Sequence, residues 1–548
     1  MNIDRRSLVK AGLYGLGALA LPGSGAAIAA VLHARGFTHG VASGEPGARR
    51  MLLWTRYAAE SGARLRVEVA ADTMFTRVVA GGEAYADPDR DHTARVVVDG
   101  LAPGRWHYYR FIAPDGAMSP VGRTRTLPEG EVARFGLGLF SCSNLGFGWF
   151  NAYAHACARS DLDLMVHVGD YLYEYETGNY PDPGEELAGR LLQPDHELLS
   201  LADYRLRHAC YRLDPDLQRL HQSYPMVCGW DDHEFTNDAW VEGAENHQPD
   251  KEGDWAQRKA AARRAYHDWM PISDPRIDGV EWGSYEIGAL ATLFKVETRI
   301  TGRSKLLELE DVLKGRKDIE RALIEFRDGP LNDPARTMMG AAQEAWLAEG
   351  FARSRREGKR WQVLAQQTVM NDTVMPQRAV EWVGPEAPDY LKRGARVGVA
   401  AAKLGMAYDF DAWSGFPAAR ARLLGAAQAA DADLVVLSGD SHNAWANDLA
   451  TGGKPAGVEI ATHSVTSPGI EQQASRAAPA DVEAALRGAN PALAWCDTRH
   501  RGYTSVQLTP DAVTAEWHLL RTIRERDTAL AGSRRMRAPR GRRSWEKS

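Results

Sequence analysis

Four apolar runs in this chain break off at residues that carry chemistry, and no other feature constrains its fold as strongly. Residues 135–140 lead into Ser141-Cys142-Ser143-Asn144, and residues 164–168 into Gly169-Asp170-Tyr171-Leu172-Tyr173. The shorter run 225–229 leads into Trp230-Asp231-Asp232-His233-Glu234, and residues 434–437 into Ser438-Gly439-Asp440-Ser441-His442. A short apolar run with a polar break after it is the pattern of a strand buried on both faces. In an open α/β sheet, ligands gather beyond the carboxyl ends of such strands. The pattern predicts strand ends that converge on Asp, His, Tyr, Cys and Asn side chains. Hard oxygen and nitrogen donors brought together in this way suit a two-metal hydrolytic centre.

The rest of the chain divides around this core. Residues 37–128 hold short strand-like runs at 51–56, 64–70, 94–98 and 106–112, separated by turns such as Ala86-Asp87-Pro88-Asp89. Short strands at even spacing predict an N-terminal all-β sandwich. From residue 134 to 522, strands alternate with helical periodicity at 198–209, 255–269, 341–355 and 417–430, which predicts α/β layers. The polar stretches 174–195 and 301–333 are expected as long loops or insertions. The basic tail 523–548, with its charge concentrated between Arg534 and Arg543, is expected as a solvated or frayed terminus.

With 548 residues, 25% charged and 44% hydrophobic, the chain has the length and composition of a two-domain globular protein. Its net charge of −6 gives no reason to expect a stable nucleic-acid complex. Residues 1–30 are not part of the fold. Asp4-Arg5-Arg6-Ser7-Leu8-Val9-Lys10, a weakly apolar run over 11–21 and small residues from Ala26 to Ala30 resemble a twin-arginine export signal with a cleavage site. The implied partner is the twin-arginine translocase, which carries folded proteins, and the implied destination is the periplasm or the exterior. No later stretch is long and apolar enough to span a bilayer. The five cysteines, Cys142, Cys157, Cys210, Cys228 and Cys496, show no disulfide framework, and the odd count leaves at least one thiol unpaired. Cys142 lies in a strand-end motif and is the thiol with a candidate role. Cys157 and Cys228 have the surroundings of small core residues.

Each motif contributes a distinct chemistry. The Asp170 carboxylate can serve two cations, one through each oxygen. Tyr173 faces the same side if a helical turn begins there, and its phenolate suits ferric iron. Three acids beside His233 would repel one another in a partly buried loop unless a cation joined them. Asp440 and His442 stand two apart, on one face if the backbone is extended.

At this point the chain resembles the alkaline phosphatase D (PhoD-like) family of metallophosphoesterases. The four motifs carry the resemblance, together with Phe37-Thr38-His39-Gly40-Val41-Ala42-Ser43-Gly44-Glu45-Pro46, Leu53-Trp54-Thr55-Arg56, Met339-Gly340, Gln366-Gln367, Phe416-Pro417-Ala418-Ala419-Arg420, Thr466-Ser467-Pro468 and Arg501-Gly502-Tyr503. The resemblance implies a four-layer α-β-β-α metallophosphoesterase core behind the β-sandwich. It implies ferric iron held by Cys142, Asp170, Tyr173 and His442, and one or two divalent cations, calcium foremost, held by Asp170, Asp232 and Asp440. It implies that His233 contacts the substrate phosphate or protonates the leaving group, and it puts Asn144 at a ligand position or beside one. Arg299 or Arg303 would clamp a phosphate oxygen, and the sequence leaves open which one does so. Glu297 stands where the family pattern has Asp, and the charged insertion after Arg303 puts substrate identity in question.

The implied activity is hydrolysis of small-molecule, lipid or nucleotide phosphate esters by in-line attack of a metal-bound hydroxide, in a monomeric exported alkaline phosphatase acting on mono- and diesters. The alternatives are a phosphodiesterase of the phospholipase D-like kind and, from another class, a non-catalytic exported metal-binding protein. Sequencing the N-terminus of the exported protein should find a start just after the small residues at 26–30. A start at Met1 would remove the export assignment.

Overall fold

The structure, a computed structural model, describes residues 34–547 apart from 277, 386 and 388. The export segment at 1–30 lies outside the described residues. Among those described, the chain forms two large sheets and one small one.

All four apolar runs are strands: Phe135–Phe140, Leu164–His167, Pro225–Cys228 and Leu434–Ser438, every residue of them buried. The first three lie side by side and parallel in a nine-stranded sheet. The fourth lies in a seven-stranded sheet between parallel neighbours Trp361–Ala365 and Lys454–Ala461. The two sheets share an apolar core that includes Leu137, Val166 and Val227 from one and Leu293, Val363 and Leu437 from the other. Two further cores lie outside them. Helices Leu201–Tyr211 and Trp255–Trp269 contribute Tyr204, Ala262 and Tyr266 to one, and helices Ala341–Arg356 and Pro417–Ala429 contribute Phe351 and Leu424 to the other. This is the expected α-β-β-α layering, and it covers both faces of each central strand.

Local signals set the helix starts. Ser200 and Asp203 form a reciprocal capping box at Leu201–Tyr211, the Asp254 side chain accepts the Gln257 N–H, and Pro417 occupies a first-turn position.

The N-terminal sandwich is present, but it is not separate from the catalytic layers. Strands Val78–Ala86, Ala63–Ala70, Trp106–Ile112 and Gly122–Arg125 make its small outer sheet. Strands Gly36–Gly44, Arg50–Ala58 and Thr93–Asp99 make its other face and also end the nine-stranded sheet, because Ser43 and Gly44 pair in parallel with Pro225 and Met226.

Two expectations need correction. The insertion 301–333 is not simply loop. It contains helices Leu309–Leu313 and Ile319–Asp328, whose apolar residues Leu323 and Phe326 pack on Ala401, Met406 and Phe410. The basic tail is not a frayed terminus. Residues Leu530–Pro539 form the edge strand of the nine-stranded sheet, paired antiparallel with Ala512–Leu520. Its composition hides a period of two: Met536 and Ala538 are buried, while Arg535 and Arg537 point outward and pair with Glu516 and Glu546. Charge on an exposed edge also blocks pairing with other chains. Beyond this strand, Trp545 is buried against Trp517 and donates to the Asn447 carbonyl at 3.1 Å. No helix among the described residues is long and apolar enough to cross a membrane.

Replacing Trp545 with Ala should lower unfolding stability by about 3 kcal/mol or more, seen as a lower denaturant midpoint. A frayed tail would show no change.

Candidate active site

The four strand ends meet where the two sheets open. Backbone geometry aims the side chains. Cys142, Asp170, Asp440 and His442 all adopt positive φ, between 53° and 63°. This left-handed conformation costs a non-glycine residue about 1 kcal/mol or more and is typical of functional sites. The helical turn anticipated after Asp170 and the extended Asp440–His442 segment are both absent. Sharp left-handed turns bring these side chains together instead. Gly169, at φ +125°, allows the turn to pass beneath the next motif, since a Cβ there would lie 2.4 Å from the Asp231 backbone nitrogen. Cross-links hold the turns: Cys142 N–H donates to the Gly169 carbonyl at 3.2 Å, Ser143 N–H to the Asp170 carbonyl at 2.8 Å, and Asp440 N–H to Ser141 Oγ at 3.2 Å.

Cys142, Asp170, Tyr173 and His442 come together on one side. Tyr173 Oη is 3.2 Å from Asp170 Oδ2 and 3.2 Å from His442 Nε2, and it accepts from Ser467 Oγ at 2.7 Å. His442 Nδ1 lies 2.6 Å from the Pro468 carbonyl, which can only accept. Nδ1 therefore carries the proton and Nε2 presents its lone pair. Burial keeps this imidazole neutral, with its pKa pulled down to about 3.

Asp231, Asp232 and Asp440 gather on the other side around Arg299, which is fully buried. Arg299 pairs with Asp231 through Nε and with both oxygens of Asp411 through Nη1 at 2.7 Å. Its Nη2 makes no hydrogen bond and lies 3.5 Å from Asp232 Oδ1 and 3.7 Å from Asp440 Oδ1. Arg303 bonds the Asp411 carbonyl and carboxylate and stacks over Phe416. Of the two arginines, Arg299 is the one that reaches Asp231, Asp232 and Asp440. Glu297 fixes the turn that carries it, accepting the N–H groups of Arg299, Ile300 and Thr301 and the Trp230 indole N–H. Two of the three acids in the third motif are satisfied from within the protein. Asp231 pairs with Arg299, and Glu234 accepts N–H groups from Asp170, Tyr171 and Asp231 at 2.7–3.1 Å.

His233 Nδ1 lies 2.7 Å from Glu174 Oε2, a contact that occupies one of its two ring nitrogens. Burial opposes the imidazolium, but Asp232, Glu174 and Asp170 outweigh it and raise its pKa well above the usual range. Asn144 has both polar ends engaged within the protein. Its Oδ1 accepts from Gly146 N–H at 3.0 Å and its Nδ2 donates to the Tyr180 carbonyl, so both polar ends are used in shaping the strand-end turn. Sequence reasoning missed Glu174 and Asp411. Glu174 directly follows Tyr173, and an acid at that spot was a usable signal. Asp411 sits in no motif, and only the fold brings it to Arg299.

The residues fit metal ions. Among the described residues, three groups have donor atoms within 4.8 Å of one another: Cys142 with Asp170 and His442; Asp170 with Asp232 and His233; and Asp170 with Asp231, Asp232 and Asp440. Asp170 Oδ1 and Asp232 Oδ1 are buried without hydrogen-bond partners. Burial first, and neighbouring negative groups second, push Cys142, Tyr173 and Asp440 well above their ordinary pKa values. Burial does the same for Asp170, partly offset by His233. A cation supplies what each of these groups lacks. All five cysteines are free, and Cys228 is a buried core residue as expected.

The signs fix a pH dependence. With their pKa values raised by burial, Asp170 and Asp440 keep their protons to higher pH in the metal-free native state than in the unfolded chain, so that state loses stability as pH rises. Metal ions displace these protons, so the stabilisation that added metal confers should be larger at about pH 8 than at about pH 5.5. Thermal melts with and without metal at both values measure it, and an equal gain at both would contradict the ligand set.

Comparison with known proteins identifies the family. Residues 137–517 match the model of the PhoD-like phosphatase family, and residues 24–128 match the PhoD-like phosphatase N-terminal domain. Alkaline phosphatase D of Bacillus subtilis (strain 168) is 30% identical over 519 residues, which span 90% of this chain and 79% of that protein. A solved structure of PhoD superposes with a TM-score of 0.75 at 27% identity, covering 94% of this chain and 92% of the other. With both regions matched and the layered core superposing, this chain belongs to the PhoD-like phosphatase family and is a phosphoric ester hydrolase.

Proposed function

We propose that the protein is an exported, metal-dependent phosphoesterase that hydrolyses phosphate mono- and diesters. One observation carries this reading: Asp170 is common to all three donor groups. A carboxylate shared between adjacent donor sets is suited to bridging two cations. Cys142, Asp170, Tyr173 and His442 would hold ferric iron, for which thiolate, phenolate, carboxylate and imidazole make a suitable set. Asp170, Asp232 and Asp440 would hold one or two divalent cations, with calcium favoured by all-oxygen donors. When bound, these ions supply Lewis acidity that polarises the phosphoryl oxygens and lowers the pKa of the attacking water.

The protein's own groups have complementary tasks. Arg299 balances the charge of the carboxylates and offers Nη2 to the developing charge on phosphorus-bound oxygen. Asp411 and Arg303 hold Arg299 in place. Glu174 orients His233 and keeps it protonated, and His233 gives that proton to the departing alkoxide. The N-terminal signal would deliver a folded monomer through the twin-arginine translocase to the periplasm or the exterior.

The test uses protein purified with its bound metals, assayed on a chromogenic phosphate monoester and the matching diester, with a chelator control. Both esters should turn over, and the chelator should abolish both rates. Asp170→Asn and His442→Ala should each abolish activity and lower bound iron, and normal iron with full activity would sink the ligand assignment. His233→Ala should slow alkyl esters by about 10²–10⁴-fold and 4-nitrophenyl esters far less, because a good leaving group needs no proton.

A further inference from the structure

A cavity of about 920 Å³ adjoins the candidate active site. Two of its lining residues contact that site. Asp411, which lines it, holds Arg299, and Asp238, also in the lining, donates its N–H to Asp232 Oδ2 at 2.6 Å. Its outer part carries apolar side chains among charged ones. Leu306 and Leu309 from the insertion stand on one side, and Met375, Trp382 and Val397 stand on the other. The insertion helices that raise the first wall are anchored on helix Asp389–Lys403 and the segment after it through Leu323, Phe326, Ala401 and Phe410. Leu306, Leu309, Met375 and Val397 remain only half-buried.

Charge narrows the occupant. Of the eight charged side chains in the lining, six are carboxylates and two, Lys314 and Arg393, are basic. Such walls repel a second phosphate or a carboxylate on the substrate. Apolar surface of this size suits a hydrocarbon group. A cavity beside the reacting centre has room for the organic part of an ester.

We propose that this cavity binds an uncharged alkyl or aryl substituent of the phosphate ester, so that the protein prefers diesters bearing a bulky apolar group. This rests on the phosphoesterase reading above. Burying each added methylene strengthens binding up to about fourfold. Across methyl, butyl and octyl 4-nitrophenyl phosphodiesters, kcat/KM should therefore rise by about tenfold or more. A chain of octyl length ending in a carboxylate should lose that gain. Leu306→Asp and Val397→Asp, on opposite walls and outside the catalytic groups, should each remove the octyl advantage and leave the methyl ester unchanged.

The arms separate the two readings. Turnover of the methyl ester with no gain on lengthening the chain overturns the cavity assignment and leaves the phosphoesterase intact. An octyl advantage that survives in both folded variants, or that the terminal carboxylate does not diminish, also overturns it. Absence of turnover for every ester overturns the phosphoesterase reading and this one with it. The wild-type series decides the question even if either variant fails to fold.

Discussion

Charge balance around Arg299 is the constraint on which the rest of the site depends. Asp231, Asp232, Asp411 and Asp440 all approach one fully buried guanidinium. An isolated carboxylate in the interior would be far too costly to keep ionised, and a buried ion pair only roughly offsets its own desolvation. One arginine cannot satisfy four acids. Of these, Asp232 keeps an Oδ1 without a hydrogen-bond partner, as does the neighbouring Asp170, and both residues lie where the donor groups overlap. The protein thus neutralises part of the cluster itself and leaves the remainder for cations. Glu297 makes this possible by fixing the turn from which Arg299 projects.

The same region concentrates unfavourable backbone geometry. Four of the six proposed ligands are left-handed, and their turns are pinned to one another rather than to solvent. Glu234 ties the second strand end to the third, accepting N–H groups from both. Such a site is pre-organised, since its side chains face one point because the surrounding layers permit no other path. Stability from the two-sheet core, rather than from the site, sustains that arrangement.

Boundaries follow from the same layers. The N-terminal sandwich shares its inner sheet with the catalytic region through the short parallel pairing at Ser43 and Gly44. At the opposite edge, the basic C-terminal strand completes the sheet, and Trp545 closes over the core between the sheets. The insertion after Arg303, marked in the sequence by its charge, builds a wall beside the site because its helices present Leu323 and Phe326 to a neighbouring helix and the segment after it.

The sequence by itself determined the buried strands, the layered class and the motif residues, because an apolar run ending in a polar break can be satisfied in few ways. Cys142, Asp170, Asp232, Asp440 and His442 were all legible from their place after such runs. What the tertiary structure alone decided were the partnerships. Asp411 reaches Arg299 from a separate segment, Asn144 is spent on a local turn, and Asp231 and Glu234 find internal partners instead of remaining open. The edge strand at 530–539 escaped notice because composition concealed its alternation. Local pattern fixes which segments are buried, since burial depends on each segment's own hydrophobicity. Which charges compensate which depends on distances of a few ångströms between residues far apart in the chain, and those exist only once the layers have packed.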